Sequence, residues 1–436
     1  MFQAITGHLK KIDYHRIGIS LKSRNFRLYF GGMCISLIGT WIQQIAMSWL
    51  VYRLTGSIFL LAMVTFMSQI PILLVTPFVS VFVDRIDKRK ILIFTQSFSM
   101  CQALLLALLT FSGSIAVWHI LLLSLLLGCV NALDNPTRQA FYPGLVPQAH
   151  LGNAIALNST VINGSRLIGP AIGGILIGML GESWCFLLNG ISYIGVIFAL
   201  FLMKLPHSAP QNNRQNLLTD LAEGFTYVSS SIPLRALLLL MCVVSFFGLP
   251  LMTFFPAYVK DILGGDSTML GYLLSCTGIG SLSAALLLAV RRSVPGLSKV
   301  ISISAFLLGL CLLQISFIAT PWMAAILCVF IGFTIIATVA SINTLLQTLS
   351  DEDKRGRVMG YLAMAFTGIT PLGSLALGAL EKHSGLSSII LVSGICCLTG
   401  ALLFEYFRPL IHKHAHPIYV RKGIVREATA RVSNEN

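Results

Sequence analysis

Acidic side chains are scarce: 16 Asp and Glu stand against 30 Lys and Arg, and charged residues of both signs make up only 11% of the 436 residues. With 56% hydrophobic residues and a mean hydropathy of +0.83, the chain holds far more apolar surface than one water-soluble core can bury, so a soluble globular protein is excluded. No G-x-x-x-x-G-K-[ST] run occurs, hence there is no phosphate-cradling loop with which to use ATP. The ten cysteines contain no C-x-x-C spacing and lie within or at the ends of apolar runs, where they read as small apolar fillers. The first 26 residues carry Lys10, Lys11, Arg16, Lys22 and Arg24 without an uninterrupted apolar core or a cleavage site, which describes a cytoplasmic arm and not a cleaved signal peptide. Paired acids, histidine-rich segments and nucleophile motifs are absent from the apolar runs, which speaks against an intramembrane enzyme. His412, His414 and His416 fall in a solvated tail, so neither a metal site nor a cofactor is expected.

What is abundant is apolar sequence in long runs. A bilayer core needs about 20 apolar residues per helix, and twelve such stretches are centred near residues 40, 70, 101, 126, 168, 194, 246, 279, 310, 333, 369 and 396. Alternating segments of about 10 residues, the mark of a membrane β-barrel, do not occur. The expected fold is therefore all-α: 12 transmembrane helices in two six-helix pseudo-symmetric halves. The expected division is a cytoplasmic arm 1–26, a first bundle 27–203, a linker 204–233, a second bundle 234–408 and a cytoplasmic tail 409–436. Within the linker Leu217, Leu218, Leu221, Phe225 and Val228 recur at helical spacing opposite Asp220 and Glu223, an amphipathic helix lying on the cytoplasmic surface.

All but four of the 30 Lys and Arg fall on one side of this layout, the exceptions being Arg53, Lys260, Lys382 and Arg166. The positive-inside rule then places both termini in the cytoplasm of a bacterial inner membrane and accounts for the basic charge without a nucleic-acid partner.

The halves are alike in detail. RLIGPAIGGILIG in the fifth stretch and GITPLGSLALG in the eleventh set Pro170 and Pro371 in similar small-residue surroundings, and each stretch ends beside an acid, Glu182 or Glu381. A tandem repeat of this kind is a common transporter plan, with the substrate site between the repeats near mid-membrane. Gly169, Gly173 and Gly174 remove side-chain bulk so that a neighbouring helix can approach and slide, while Pro170 frees a carbonyl and favours a kink. Ordinary tight packing fits these residues equally.

SVFVDRIDKRKIL, residues 80–92, resembles the loop signature of the major facilitator superfamily at Asp84, Arg85, Lys88, Arg89 and Lys90, with Ser80 at the usual glycine position. SWLVYRLTGS, NPTRQAFYPGLVP, LGNAIALNS and SRLIGPAIGG narrow the likeness to the enterobactin-exporter and macrolide-efflux branch, over most of the first half. The second half resembles it chiefly at DEDKRGRVMG. The resemblance implies a proton-coupled exporter working by alternating access on a siderophore or similar anionic metabolite. A multidrug or macrolide pump is the second reading, and a phospholipid flippase or a non-transporting receptor lies further off. It also implies a monomer that hands its cargo to other envelope components. In that family the loop latches the halves, which assigns Asp84, Arg85, Lys88 and Arg89, with Asp134 as their partner.

Arg166 is the only charged side chain between Pro147 and Glu182 and lies near mid-membrane, where charge is costly. Either its planar fork meets an anionic substrate or it forms an internal pair. Trp41, Gln44, Asn131, Phe247, Phe254 and Asn343 complete the candidate substrate site, on stretches that line the cavity in the resembled superfamily. Asp134 is also the candidate proton-coupling group, since burial raises a carboxyl's affinity for a proton.

Overall fold

The computed structural model describes residues 18–83, 86–203, 217–291 and 294–424. Among the described residues twelve helices are long and apolar enough to cross a membrane, and no strand occurs. In chain order α1–α12 are Arg24–Thr55, Ile58–Val83, Lys88–Phe111, Val117–Phe141, Leu151–Leu180, Glu182–Leu202, Ile232–Ile262, Ser267–Val290, Leu297–Ile315, Pro321–Leu349, Arg355–Ser384 and Leu386–Arg421. The all-α, 12-span class read from the sequence is the observed one. Asp84 and Arg85 of the loop signature lie outside the described residues, as does the arm up to residue 17.

The helices form two compact units. The first joins α1–α6 to Pro256–Gly278, the end of α7 and the start of α8; the second comprises Gln215–Phe255 and Ile279–Asn436. In a bilayer, lipid tails are as apolar as leucine, so the cohesion of each unit comes from close packing and buried polar contacts.

Glycines decide where packing is closest in the first unit. A Cβ on Gly174 would stand 2.6 Å from the Ser267 carbonyl oxygen and 2.8 Å from the Gly271 Cα, and one on Gly278 2.9 Å from the Leu167 Cα. Such distances are too short for any side chain, so α5 and the start of α8 meet backbone to backbone. The Ser275 hydroxyl donates to the Leu167 carbonyl at 3.0 Å in the same seam. Gly174→Val has only backbone to push against and is expected to cost about 2–3 kcal/mol, the upper end of overpacking penalties. A fall in the midpoint of heat-induced loss of the monodisperse detergent-solubilised protein checks this, and Gly164→Val, where nothing lies within 4 Å of the added Cβ, should leave the midpoint unmoved.

Prolines act differently in the two repeats. The helix α5 runs unbroken through Pro170, whereas α11 carries a π-helical turn, Met364–Gly368, just before Pro371. In α7, π-helical turns at Val244–Gly248 and Tyr258–Ile262 precede Pro250 and follow Pro256. Both α5 and α11 stop at a glycine of left-handed φ, Gly181 at 87° and Gly385 at 76°, a region that penalises any Cβ.

In the second unit α12 does not end near residue 408. It continues as helix to Arg421, so His412, His414 and His416 stand on a helix and not in an irregular tail. The end is pinned: Arg421 donates to Asp351 at 2.6 Å, and Lys422 Nζ to the Thr348 and Ser350 carbonyls at 2.7 and 2.6 Å. The linker helix Leu217–Ser230 reaches the same turn. Tyr227 donates to Asp351 at 3.0 Å, and Glu223 pairs with Arg357 at 2.5 Å. Burial pushes the Tyr227 phenol above its usual range and the neighbouring Asp351 carboxylate adds to the rise, against a lowering by the Asp351 amide; it stays a donor at neutral pH. The polar face of this helix thus anchors it, while Phe225 is exposed. The side chains of Leu217, Leu218, Asp220 and Leu221 lie outside the described residues.

Candidate functional site

Arg166 is the sixteenth of the 30 residues of α5, about 22 Å along the helix at 1.5 Å per residue. Its guanidinium carbon lies 5.4 Å from the centroid of the Trp41 ring, a cation–π arrangement across α5 and α1. The local sequence makes this possible. One turn on, a Cβ at Gly169 would stand 2.5 Å from the Trp41 Cβ, and one at Gly173 would stand 3.3 Å from the Ile42 Cα. Arg166, Gly169 and Gly173 share one face of α5, so the glycines let α1 in close enough for the indole to reach the arginine.

The guanidinium has no ion pair among the described residues, and its Nε is buried without a hydrogen-bond partner. A buried donor left unmatched costs about 1–3 kcal/mol. Among the described residues no carboxylate pairs with Arg166.

The other candidates divide between the two units. On α1 Gln44 is exposed, and on α4 Asn131 is half-buried; no hydrogen bond among the described residues joins either to Arg166. In the second unit Phe247 packs edge-on against Phe246 at 4.8 Å, and Asn343 accepts from Gln347 at 2.9 Å. Phe254 is buried in the helix packing, only 1% exposed.

Sequence reasoning missed two buried polar clusters in the first unit. Gln43, next to the named Gln44, donates to Gln102 at 3.1 Å and accepts from Asn189 at 2.8 Å, joining α1, α3 and α6. The second surrounds Asp134, 2% exposed. Thr95 and Gln96 donate to its Oδ1 at 2.7 and 2.9 Å, and Arg138 pairs with its Oδ2. The D-x-x-x-R spacing in LDNPTRQ was the available signal, since residues i and i+4 share a helix face. The expected partner from the loop, Arg89, instead donates to the Phe201 carbonyl at 2.8 Å, and Asp87 caps α3 by accepting from the Arg89 amide at 2.9 Å. Lys88 stands at the start of the same helix.

A further polar group gathers at the far ends of α1, α6 and α7. Tyr52 donates to Asp261 while Lys260 lies 5.6 Å from the Tyr52 ring centroid. Beside it Arg53 and Glu182 form a two-point pair at 2.8 and 3.3 Å.

Twelve apolar helices, a membrane-embedded arginine with unspent donors and buried polar clusters define a polytopic membrane transporter. The chain belongs to the major facilitator superfamily: the model for transmembrane secretion effectors of that type matches residues 19–418, and the protein is not an enzyme. Among its relatives, the staphyloferrin A transporter of Staphylococcus aureus is 26% identical over 87% of this chain and 95% of its own. The multidrug efflux pump Tap of Mycolicibacterium fortuitum is 24% identical over 81% and 88% of the two chains. Macrolide efflux protein A of Streptococcus pyogenes is 23% identical over 88% and 96%. Solved structures similar in fold include a bacterial homologue of the lysosomal transporter Spinster, with a TM-score of 0.67 at 13% identity, covering 91% of this chain and 98% of that one. The nucleoside transporter NupG matches with a TM-score of 0.67 at 14% identity over 89% and 99%.

Proposed function

We propose that the protein exports a siderophore or a similar anionic metabolite across the bacterial inner membrane by alternating access, with the proton gradient as driving force and both termini in the cytoplasm. The observation that carries this reading is the Arg166 guanidinium, set on Trp41 with its Nε unmatched. A planar cation with free donors at mid-span suits carboxylate or catecholate oxygens, which accept the two-point bonds that arginine offers. The staphyloferrin A transporter among the relatives supports the same cargo class.

Asp134 is the carboxylate placed to couple protons. The described acids that are buried are Asp134 and Glu182, and Glu182 opens α6 in contact with Arg53. A proton on Asp134 would release Arg138 on the same helix and weaken the hydrogen bonds from Thr95 and Gln96 that tie α4 to α3, converting a proton gradient into movement between α3 and α4.

Two relatives are drug pumps by name, so the deciding experiment reads both cargoes. Siderophore is quantified in the medium of iron-starved cells with and without the gene, and macrolide sensitivity is scored in parallel. Loss of secretion at unchanged drug sensitivity is the expected result. Unchanged secretion with raised sensitivity assigns the chain to drug efflux instead.

A further inference from the structure

The second unit carries a groove of about 240 Å3 between α9 and α12, lined by Lys299, Ser302, Ile303, Phe306 and Leu307 on one side and by Ala401, Leu402, Glu405 and Arg408 on the other. The spacing explains its form. Lys299, Ser302, Phe306 and Ile303, Leu307 repeat every three or four residues, as do Ala401, Leu402, Glu405 and Arg408, so each helix gives the groove a single face. At 1.5 Å per residue the α9 wall from Lys299 to Leu307 is about 12 Å long.

Its deep end is closed by glycines. A Cβ on Gly309 would lie 2.7 Å from the Leu398 Cγ, and one on Gly394 2.9 Å from the Leu313 Cγ, so α9 and α12 touch there, next to the groove wall that ends at Leu307 and Ala401. The walls are apolar and open at the surface of the unit, with Ile303 49%, Leu307 40% and Leu402 56% exposed. In a membrane-spanning chain such a face is covered by acyl chains.

The mouth is cationic. Lys299 is exposed and has no carboxylate partner among the described residues, and Arg408 shares its charge with Glu405 at 2.9 Å. Two cations against one already engaged acid leave a positive entrance at the level where α9 begins. Basic pockets between spans at that depth are suited to lipid headgroups.

From this arrangement we infer that the groove binds an anionic phospholipid of the surrounding bilayer, its phosphate between Lys299 and Arg408 and an acyl chain lying along Ile303, Leu307 and Leu402. A zwitterionic lipid brings an amine to the same cations and binds less well. The site is separate from Arg166 and Asp134, and its reading does not depend on the cargo.

The test uses the full-length protein in detergent, incubated with phosphatidylglycerol or with phosphatidylethanolamine of the same acyl chains, and counts retained lipid by native mass spectrometry. The wild-type protein should retain phosphatidylglycerol several-fold more strongly. A Lys299→Gln, Arg408→Gln double variant should lose that preference with about 30-fold weaker retention, since each of the two basic residues near the surface is worth about 1 kcal/mol. Leu402→Trp, on an exposed position, should fill the groove and weaken retention with both cations intact. Equal retention of the two lipids by the wild type, or undiminished phosphatidylglycerol on either variant, overturns the inference.

Discussion

Replacing Arg166 by alanine or methionine should lower transport of an anionic cargo by roughly 10- to 150-fold while leaving the fold as stable as before. A charge-assisted hydrogen bond is worth about 1.5–3 kcal/mol, which sets the expected loss of affinity. Stability is another matter. Stacking on Trp41 contributes about 0.5–2 kcal/mol, and the unmatched Nε costs about 1–3 kcal/mol, so removal of the guanidinium nearly balances. Cargo flux into inverted vesicles and the heat-induced unfolding midpoint, measured on the same preparations, separate the roles. A transport loss accompanied by a stability loss above about 3 kcal/mol, the scale of a broken buried pair, identifies a structural charge instead.

The reverse pattern is expected at Asp134 and Arg138. Either side chain replaced alone leaves its partner buried and uncompensated, at a cost of about 3–5 kcal/mol. Asp134→Leu combined with Arg138→Met should recover most of that loss, because an apolar pair of similar volume avoids the desolvation of both charges. Asp134→Asn can still accept from Thr95 and Gln96, so it isolates the charge. If Asp134 couples protons, this variant still moves cargo down its own gradient but no longer responds to an imposed pH gradient. A response equal to the wild type reduces Asp134 to a structural lock between α3 and α4.

These contrasting expectations arise in one unit from two arginines of opposite surroundings. Arg138 has an acid four residues earlier on its own helix. Arg166 has a tryptophan on α1, admitted by Gly169. The Gln43 cluster teaches the same lesson from the opposite direction. Gln44 was the natural choice from polarity alone, yet one residue is a rotation of about 100°; Gln43 points into α3 and α6, and Gln44 does not.

Hydropathy by itself determined twelve spans, because crossing a bilayer depends on the length and apolarity of each run and on little else, and the loop and span motifs pointed to the family. The continuation of α12 to Arg421 was hidden by its polar composition, and what holds it is the long-range contact of Arg421 and Lys422 with the turn at Asp351. Tertiary structure alone decided that Thr95 and Gln96 also meet Asp134, that Arg166 stacks on Trp41, that Phe254 is buried, and that α9 and α12 part into a groove. Those outcomes depend on how each helix is rotated and how closely its neighbours approach, and the close approaches are set by glycines whose partners lie about a hundred residues away or more in the chain, as Gly174 and Gly271 or Gly169 and Trp41 do.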